Sequence, residues 1–324
     1  MLWRNRRSSL EASATVARSY AVFGPSAEAL NPYYWAVTMR PRRSALFMPG
    51  SNARAMDKAR SLPADVVVLD LEDAVAPDAK ESARAQVIAA VRAGGYGRRE
   101  VIVRVNALGT PWGRTDLTAV ATAGADALLL PKAESAGEIR EAIGLLEAAG
   151  ASRTLGVWCM LETPRGVLNA TAIATAHPRV AAIVMGTSDL TKDLHARHTR
   201  DRLPLVTSLG LAVLAARAAG IGALDGVHLD LDDDAGFAAA CRQAADLGFD
   251  GKTLIHPKQI AIANEVFAPS DADVTWARRV IAAHADAVAN GRGVVLLDGR
   301  LIENLHVQDA RRVVALADAI GEPS

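Results

Sequence analysis

Between residues 44 and 255 the chain alternates, eight times over, between a short Val/Leu/Ile-rich run and a longer amphipathic stretch. The runs fall at 44–48, 66–71, 101–105, 127–130, 155–161, 181–185, 224–229 and 252–255. They carry little polar alternation, as expected of parallel strands buried on both faces. Strict β-α alternation leaves two architectures, an open doubly wound sheet and a closed barrel.

The stretches between the runs read as helices. Residues 79–91 follow Pro77 and Asp78, and Asp78 with Glu81 has the spacing of a capping box. Ser135 and Glu138 repeat that spacing, and Ile139, Ala142, Ile143 and Leu146 then mark one apolar face. Residues 207–219 and 234–247 stop at Gly220 and Gly248, the usual C-terminal signal. A dinucleotide-binding sheet needs a glycine fingerprint after its first strand. Here the first run passes into Met48-Pro49-Gly50-Ser51-Asn52, and the Gly94-Gly95-Tyr96-Gly97 cluster follows a helix and reads as a turn. A (β/α)8 TIM barrel over residues 39–268 is the expected fold. Residues 269–324 form a C-terminal extension of a helix (272–290), a hairpin turning at Asp298-Gly299, and a last helix (308–320), packing on the barrel or on a neighbouring subunit.

Composition removes other classes. The 324 residues carry 36 basic and 36 acidic side chains, so there is no bulk attraction to nucleic acid or to an anionic membrane. No apolar run approaches the roughly 20 residues of a membrane helix. Cys159 and Cys241 form no CxxC pair, and they read as buried thiols in a reducing compartment. Residues 1–38 contain Arg4, Arg6, Arg7 and Arg18 but only Glu11 and Glu28 as acids. They read as an unstructured extension ahead of Met39; a mitochondrial-type targeting segment is the alternative. The expected location is the cytoplasm, or the mitochondrial matrix under that alternative.

A barrel carries its active site at the C-terminal ends of its strands, and polar residues collect there. The strand ends hold Asp70-Leu71-Glu72-Asp73, Arg104-Val105-Asn106, Pro131-Lys132, Glu162-Thr163, Gly186-Thr187-Ser188-Asp189 and His256-Pro257, with Asp225 and Asp230 bracketing the seventh. Glu162 and Asp189, on adjacent strands, are the chosen metal pair. Two carboxylates completed by water and substrate oxygens suit Mg²⁺; either acid alone also fits a helix cap or an ion pair. Arg104 ends a buried strand, where charge requires a partner. It can bind a carboxylate or polarise a carbonyl, and Asp70 or Glu72 can pair with it. Residues 230–234 resemble a calcium loop in composition only and read as a helix cap and solvated loop.

These motifs appear in a fixed order, with Arg43-Ser44-Ala45-Leu46-Phe47-Met48-Pro49-Gly50 before them and Gly251-Lys252-Thr253-Leu254-Ile255-His256-Pro257 closing the series. Together they resemble the citrate lyase β-subunit / malyl-CoA lyase family of the HpcH/HpaI aldolase superfamily. The resemblance implies that Glu162 and Asp189 are magnesium ligands, with Glu162 also at the substrate, and that Arg104 contacts the substrate's acyl and carboxylate oxygens. Phe47 and Lys58 match positions near the coenzyme A arm. Glu72 and Asp73 border the metal site as substrate-binding and catalytic positions. It further implies a CoA-thioester substrate and a homotrimer or homohexamer whose C-terminal segment reaches a neighbour's active site. The family's lyases end that segment in G-x-x-[IV]-D, whereas this chain reads Gly299-Arg300-Leu301-Ile302-Glu303. Glu303 therefore takes the place of a catalytic Asp, and small misplacements of such a group are costly. With the following Asn304-Leu305-His306, the segment resembles the (3S)-malyl-CoA thioesterase branch. The leading expectation is Mg²⁺-dependent cleavage of a β-hydroxyacyl-CoA of malyl, citramalyl or citryl type to an acyl-CoA and a keto acid. Hydrolysis of (3S)-malyl-CoA at the same site, and a role as citrate lyase β-subunit, are the alternatives.

Overall fold

A computed structural model describes residues 40–321. The expectation for residues 1–38 lies outside the described residues. Eight parallel strands close into a barrel in sequence order: β1 (Ser44–Pro49), β2 (Val66–Asp70), β3 (Glu100–Arg104), β4 (Ala127–Leu130), β5 (Gly156–Leu161), β6 (Val180–Met185), β7 (Gly222–Asp225) and β8 (Gly251–Leu254). The helices between them are α1 (Ala53–Ala59), α2 (Lys80–Ala93), α3 (Gly113–Ala121), α4 (Ala136–Ala148), α5 (Pro164–Leu168), α6 (Ala170–Ala174), α7 (Thr187–Asp193), α8 (Val206–Ala219) and α9 (Asp234–Leu247). After β8 come α10 (Ile260–Val266) and α11 (Asp271–Ala289), a hairpin of β9 (Val295–Leu297) and β10 (Arg300–Ile302), and α12 (Asn304–Gly321).

The continuous apolar runs are explained by two concentric cores. In β2, Val66 and Val68 point into the barrel while Val67 and Leu69 meet the helices, and all four are fully buried. The chain has few aromatic residues, and Trp158 of β5 is the largest side chain inside the barrel. Below it, Arg42 lies 4.8 Å from the Trp158 ring centre and is held by Glu100 at 2.7 and 2.8 Å. A charge can plug this apolar space only because it is paired there. The last seam, β8 against β1, depends on Gly251: a Cβ there would lie 1.8 Å from the main-chain oxygen of Arg42.

Several expected edges move, each for a local reason. The seventh strand spans Gly222–Asp225, not 224–229, because the Asp225 carboxylate accepts the N–H of Gly226 at 2.8 Å and turns the chain out of the sheet. The capping box at Asp78 and Glu81 does not form. Pro77 opens a short 3-10 turn, and α2 starts at Lys80 with Ala79 as an uncapped N-cap. The box at Ser135 and Glu138 forms in full. Gly220 and Gly248 end α8 and α9 in the left-handed conformation, and Asp233 caps α9. The final helix begins at Asn304, earlier than residue 308, because the carbonyl of Glu303 accepts the N–H groups of His306 and Val307.

The C-terminal arm has its own small core of Ala277, Val280, Ile302, Val307 and Ala310. Its hairpin turns at Asp298 and Gly299, both at positive φ, as a two-residue turn matched to strand twist requires. Arg98 donates to the carbonyls of Ala319 and Ile320 at 3.0 Å, tying the end of α12 to the loop before β3. Leu296, Leu301 and Leu305 remain more than half exposed on the arm.

Because the obstacle at Gly251 is backbone, no rotamer change relieves it. Gly251→Ala is expected to destabilise the protein by about 2 kcal/mol or more, read as a lower urea midpoint. An unchanged midpoint would mean that the β8–β1 seam yields freely.

Candidate active site

The mouth of the barrel is organised by Arg104. Register places Asp70 directly beside it on the neighbouring strand. Its Nε and Nη2 donate to the two Asp70 oxygens at 2.7 and 2.6 Å, a bidentate pair. Nη1 lies 2.8 Å from Oε2 of Glu72 and 3.8 Å from Asp73. The Glu72 contact is ionic rather than a directed hydrogen bond, since that buried oxygen has no well-aligned donor. Phe47 from β1 lies under the guanidinium at 4.8 Å, and the Met160 sulfur is 3.9 Å from Nη1. Burial alone would lower the Arg104 pKa, but Asp70 and then Glu72 outweigh it and the group is held firmly charged.

Glu72 also binds a second cation, with Oε1 accepting from Lys132 Nζ at 2.6 Å. Burial pushes the Glu72 carboxyl above its ordinary range, against Arg104 and the Lys132 hydrogen bond. Lys132 reaches Glu162 through its main-chain N–H (2.7 Å) and Asp189 through its ammonium (3.6 Å). Thus Arg104, Glu72, Lys132, Glu162 and Asp189 form one connected cluster from five strand ends. Glu162 fits under the β6 end only because residue 186 is glycine; a Cβ there would sit 2.3 Å from the Glu162 Cβ.

Beneath the cluster, Lys80 supports the loop after β2. Its buried ammonium donates to the carbonyls of Leu71 (2.8 Å) and Glu72 (2.7 Å) and to Oδ1 of Asn106 (2.8 Å). Asn106 in turn donates to Asp116, which pairs with Arg84 at 2.6 Å. Sequence reading missed Lys80, because a lysine at a helix start resembles a solvated charge. A second buried network joins Asp225 to Lys252 and to Arg202 at 2.6 Å; it welds β7, β8 and the loop before α8.

The other expected site residues lie at the edge of the cluster or beyond it. Asp73 is largely exposed at the rim. Lys58 is exposed in the last turn of α1. Glu303 stands just before α12, where its N–H donates to His306 Nδ1 at 3.1 Å. Among the described residues, no hydrogen bond or ion pair joins Lys58 or Glu303 to the cluster.

Glu162 and Asp189 fit a hard divalent cation. Glu162 is 3% exposed, and one of its oxygens accepts a single N–H. Burial first, and the charge of Glu72 second, push its pKa up to about 7. A cation of charge two relieves that penalty. Among the described residues no cluster of three or more His, Cys, Asp or Glu could hold a metal, so two carboxylates would leave the remaining positions to water and ligand oxygens, as Mg²⁺ prefers.

The raised pKa has a stability consequence. In metal-free protein the folded state holds a proton on Glu162 that the unfolded chain releases, across the window from the ordinary 4.5 to about 7. Stability therefore falls as pH rises through that window and levels off above it; Glu72 adds with the same sign. Glu162→Gln is expected to flatten the pH dependence of Tm in EDTA, and an unchanged slope would remove Glu162 as its source.

Known proteins resemble this chain over most of its length. The family model described as HpcH/HpaI aldolase/citrate lyase matches residues 43–257. A (3S)-malyl-CoA thioesterase of Cereibacter sphaeroides is 49% identical over 280 residues, covering 86% of this chain and 96% of that protein. The citrate lyase subunit beta of Escherichia coli is 37% identical over 287 residues, covering 87% and 95%. Among solved structures, CitE from Mycobacterium tuberculosis in complex with magnesium, acetoacetate and coenzyme A superposes with a TM-score of 0.69 at 32% identity, covering 86% of this chain and 99% of that one. The chain belongs to the HpcH/HpaI aldolase/citrate lyase family.

Proposed function

We propose that this protein is a Mg²⁺-dependent enzyme acting on the CoA thioester of a small hydroxy dicarboxylic acid, and that it hydrolyses (3S)-malyl-CoA to malate and free CoA. The observation that carries the substrate class is the strand-end cluster, in which a buried, permanently charged Arg104 is joined through Glu72 and Lys132 to Glu162 and Asp189, two carboxylates suited to a divalent cation. A CoA thioester of a hydroxy acid presents a carbonyl, a hydroxyl and a free carboxylate. Arg104 and the metal pair are the matching partners for those oxygens. When bound, the metal would supply Lewis-acid stabilisation of oxygen charge.

Arg104 suits the reacting carbonyl. It is fixed by Asp70 before substrate arrives, so no reorganisation is needed as negative charge develops on the carbonyl oxygen. In hydrolysis a water oxygen adds to the thioester carbon, the C–S bond breaks, and the CoA sulfur leaves and takes up a proton. Glu303 is the base assigned to that water. Among the described residues no hydrogen bond or ion pair joins it to the cluster, so it would come from a second copy, as part of a homotrimer or homohexamer. The exposed Leu296, Leu301 and Leu305 beside it give the arm an apolar surface for that contact.

Hydrolysis is preferred because identity to the thioesterase of Cereibacter sphaeroides is 49%, against 37% to the citrate lyase subunit beta of Escherichia coli. The longer Glu303 side chain in place of Asp supports the same choice. The second reading, carbon–carbon cleavage to an acyl-CoA and a keto acid, is favoured by the same Arg104, which would serve an enolate oxygen equally well.

Purified protein incubated with (3S)-malyl-CoA and Mg²⁺ is expected to release free thiol and malate without glyoxylate. Glyoxylate with acetyl-CoA would overturn hydrolysis in favour of cleavage. Arg104→Ala is expected to lower turnover by about 10²-fold or more, and near-normal turnover would refute the role given to Arg104.

A further inference from the structure

Three cations surround the acidic loop after β2: Arg104, assigned above to the reacting carbonyl, Lys80 and Lys132. Arg104 is locked to Asp70 and Glu72. Lys80 is buried with its three donors used by three oxygens. Lys132 differs. Its side chain is 39% exposed at the mouth of the barrel. Its ammonium has one short partner, Glu72 at 2.6 Å, and one longer contact, Asp189 at 3.6 Å. An ammonium has three donors, so at least one has no partner among the described residues.

The backbone at Lys132 is also unusual. Its φ is +48°, a left-handed conformation uncommon for a residue with a Cβ and retained where the surroundings enforce it. In this conformation its own N–H donates to Glu162 at 2.7 Å. The single ion pair with Glu72 does not account for this turn. What the turn achieves is to present both the N–H and the ammonium of one residue to the two carboxylates assigned to the metal.

We infer that Lys132 is a working cation of the site: it competes with the divalent ion for the acidic pocket formed by Glu72, Glu162 and Asp189, and it binds the free carboxylate of the substrate's acyl group. This rests on the functional reading above. A positive charge so near Asp189 weakens divalent binding by direct repulsion. An acyl group that carries a free carboxylate into a pocket of carboxylates needs a cation beyond the one at its carbonyl, and Lys132 has both the donor and the access.

The test uses the full-length protein and two probes that do not depend on turnover. Calorimetric titration with MgCl₂ alone is expected to show Lys132→Met binding Mg²⁺ about five- to tenfold more tightly than wild type. At saturating Mg²⁺, the same variant should bind free malate about tenfold more weakly, while its affinity for free CoA changes less than about twofold. Lys132→Arg keeps the charge and should hold Mg²⁺ affinity near that of wild type. A merely structural ion pair predicts unchanged or weaker Mg²⁺ binding and unchanged malate binding in Lys132→Met; that result overturns the inference, as does wild-type protein that binds no Mg²⁺. Wild type that binds Mg²⁺ and malate but turns over no hydroxyacyl-CoA ester counts against the functional reading alone, and the two titrations still decide the role of Lys132.

Discussion

A buried guanidinium holds the mouth of this barrel together. Arg104 is removed from water at the end of β3, and that position is tolerable only because Asp70 and Glu72 meet it at hydrogen-bonding distance. Asp70 can do so because the β2–β3 register places the two residues side by side. The same Asp70 carboxylate accepts the N–H groups of Glu72 and Ala74 and so shapes the loop that carries Glu72. Glu72 in turn holds Lys132, and Lys132 holds Glu162. Each charged group is fixed by the one before it. Removing one partner therefore costs more than one ion pair, since the charge left behind is still buried.

Burial also gives Glu162 its character. An exposed glutamate would be an ordinary carboxylate. Enclosed by the β4, β5 and β6 ends, beside Glu72, its pKa rises to about 7. Such a site gains from a divalent cation and is a poor resting place for an unpaired negative charge. The price in stability is met elsewhere, by the two apolar cores and by Lys80, which satisfies three oxygens under the loop without bringing another carboxylate into the interior.

The barrel and the outer arm serve different ends. Inside the barrel, Trp158, Met160 and aliphatic side chains form a buried apolar core. The reactive groups therefore sit at the rim, where strands stop and loops begin. The arm has a small core of its own and leaves leucines exposed near Glu303; the second copy proposed above would cover them.

Most of the barrel was legible in the sequence because its causes are local. Apolar runs of strand length, capping residues such as Ser135, and stop glycines such as Gly220 and Gly248 act within a few residues. Where one local signal competed with another, reading failed. Pro77 defeated the Asp78 cap, and the Asp225 side chain ended β7 before its apolar run was over. The gathering of charges at strand ends was also readable, since strand order alone brings Asp70, Arg104, Glu162 and Asp189 to one face. Tertiary structure decided which charges touch. That Arg104 is locked to Asp70, that Lys132 turns through positive φ onto Glu162, that Lys80 is a buried brace, and that Glu303 lies apart from the cluster all depend on distances between residues tens of positions apart. No local propensity encodes those distances; closing the barrel sets them.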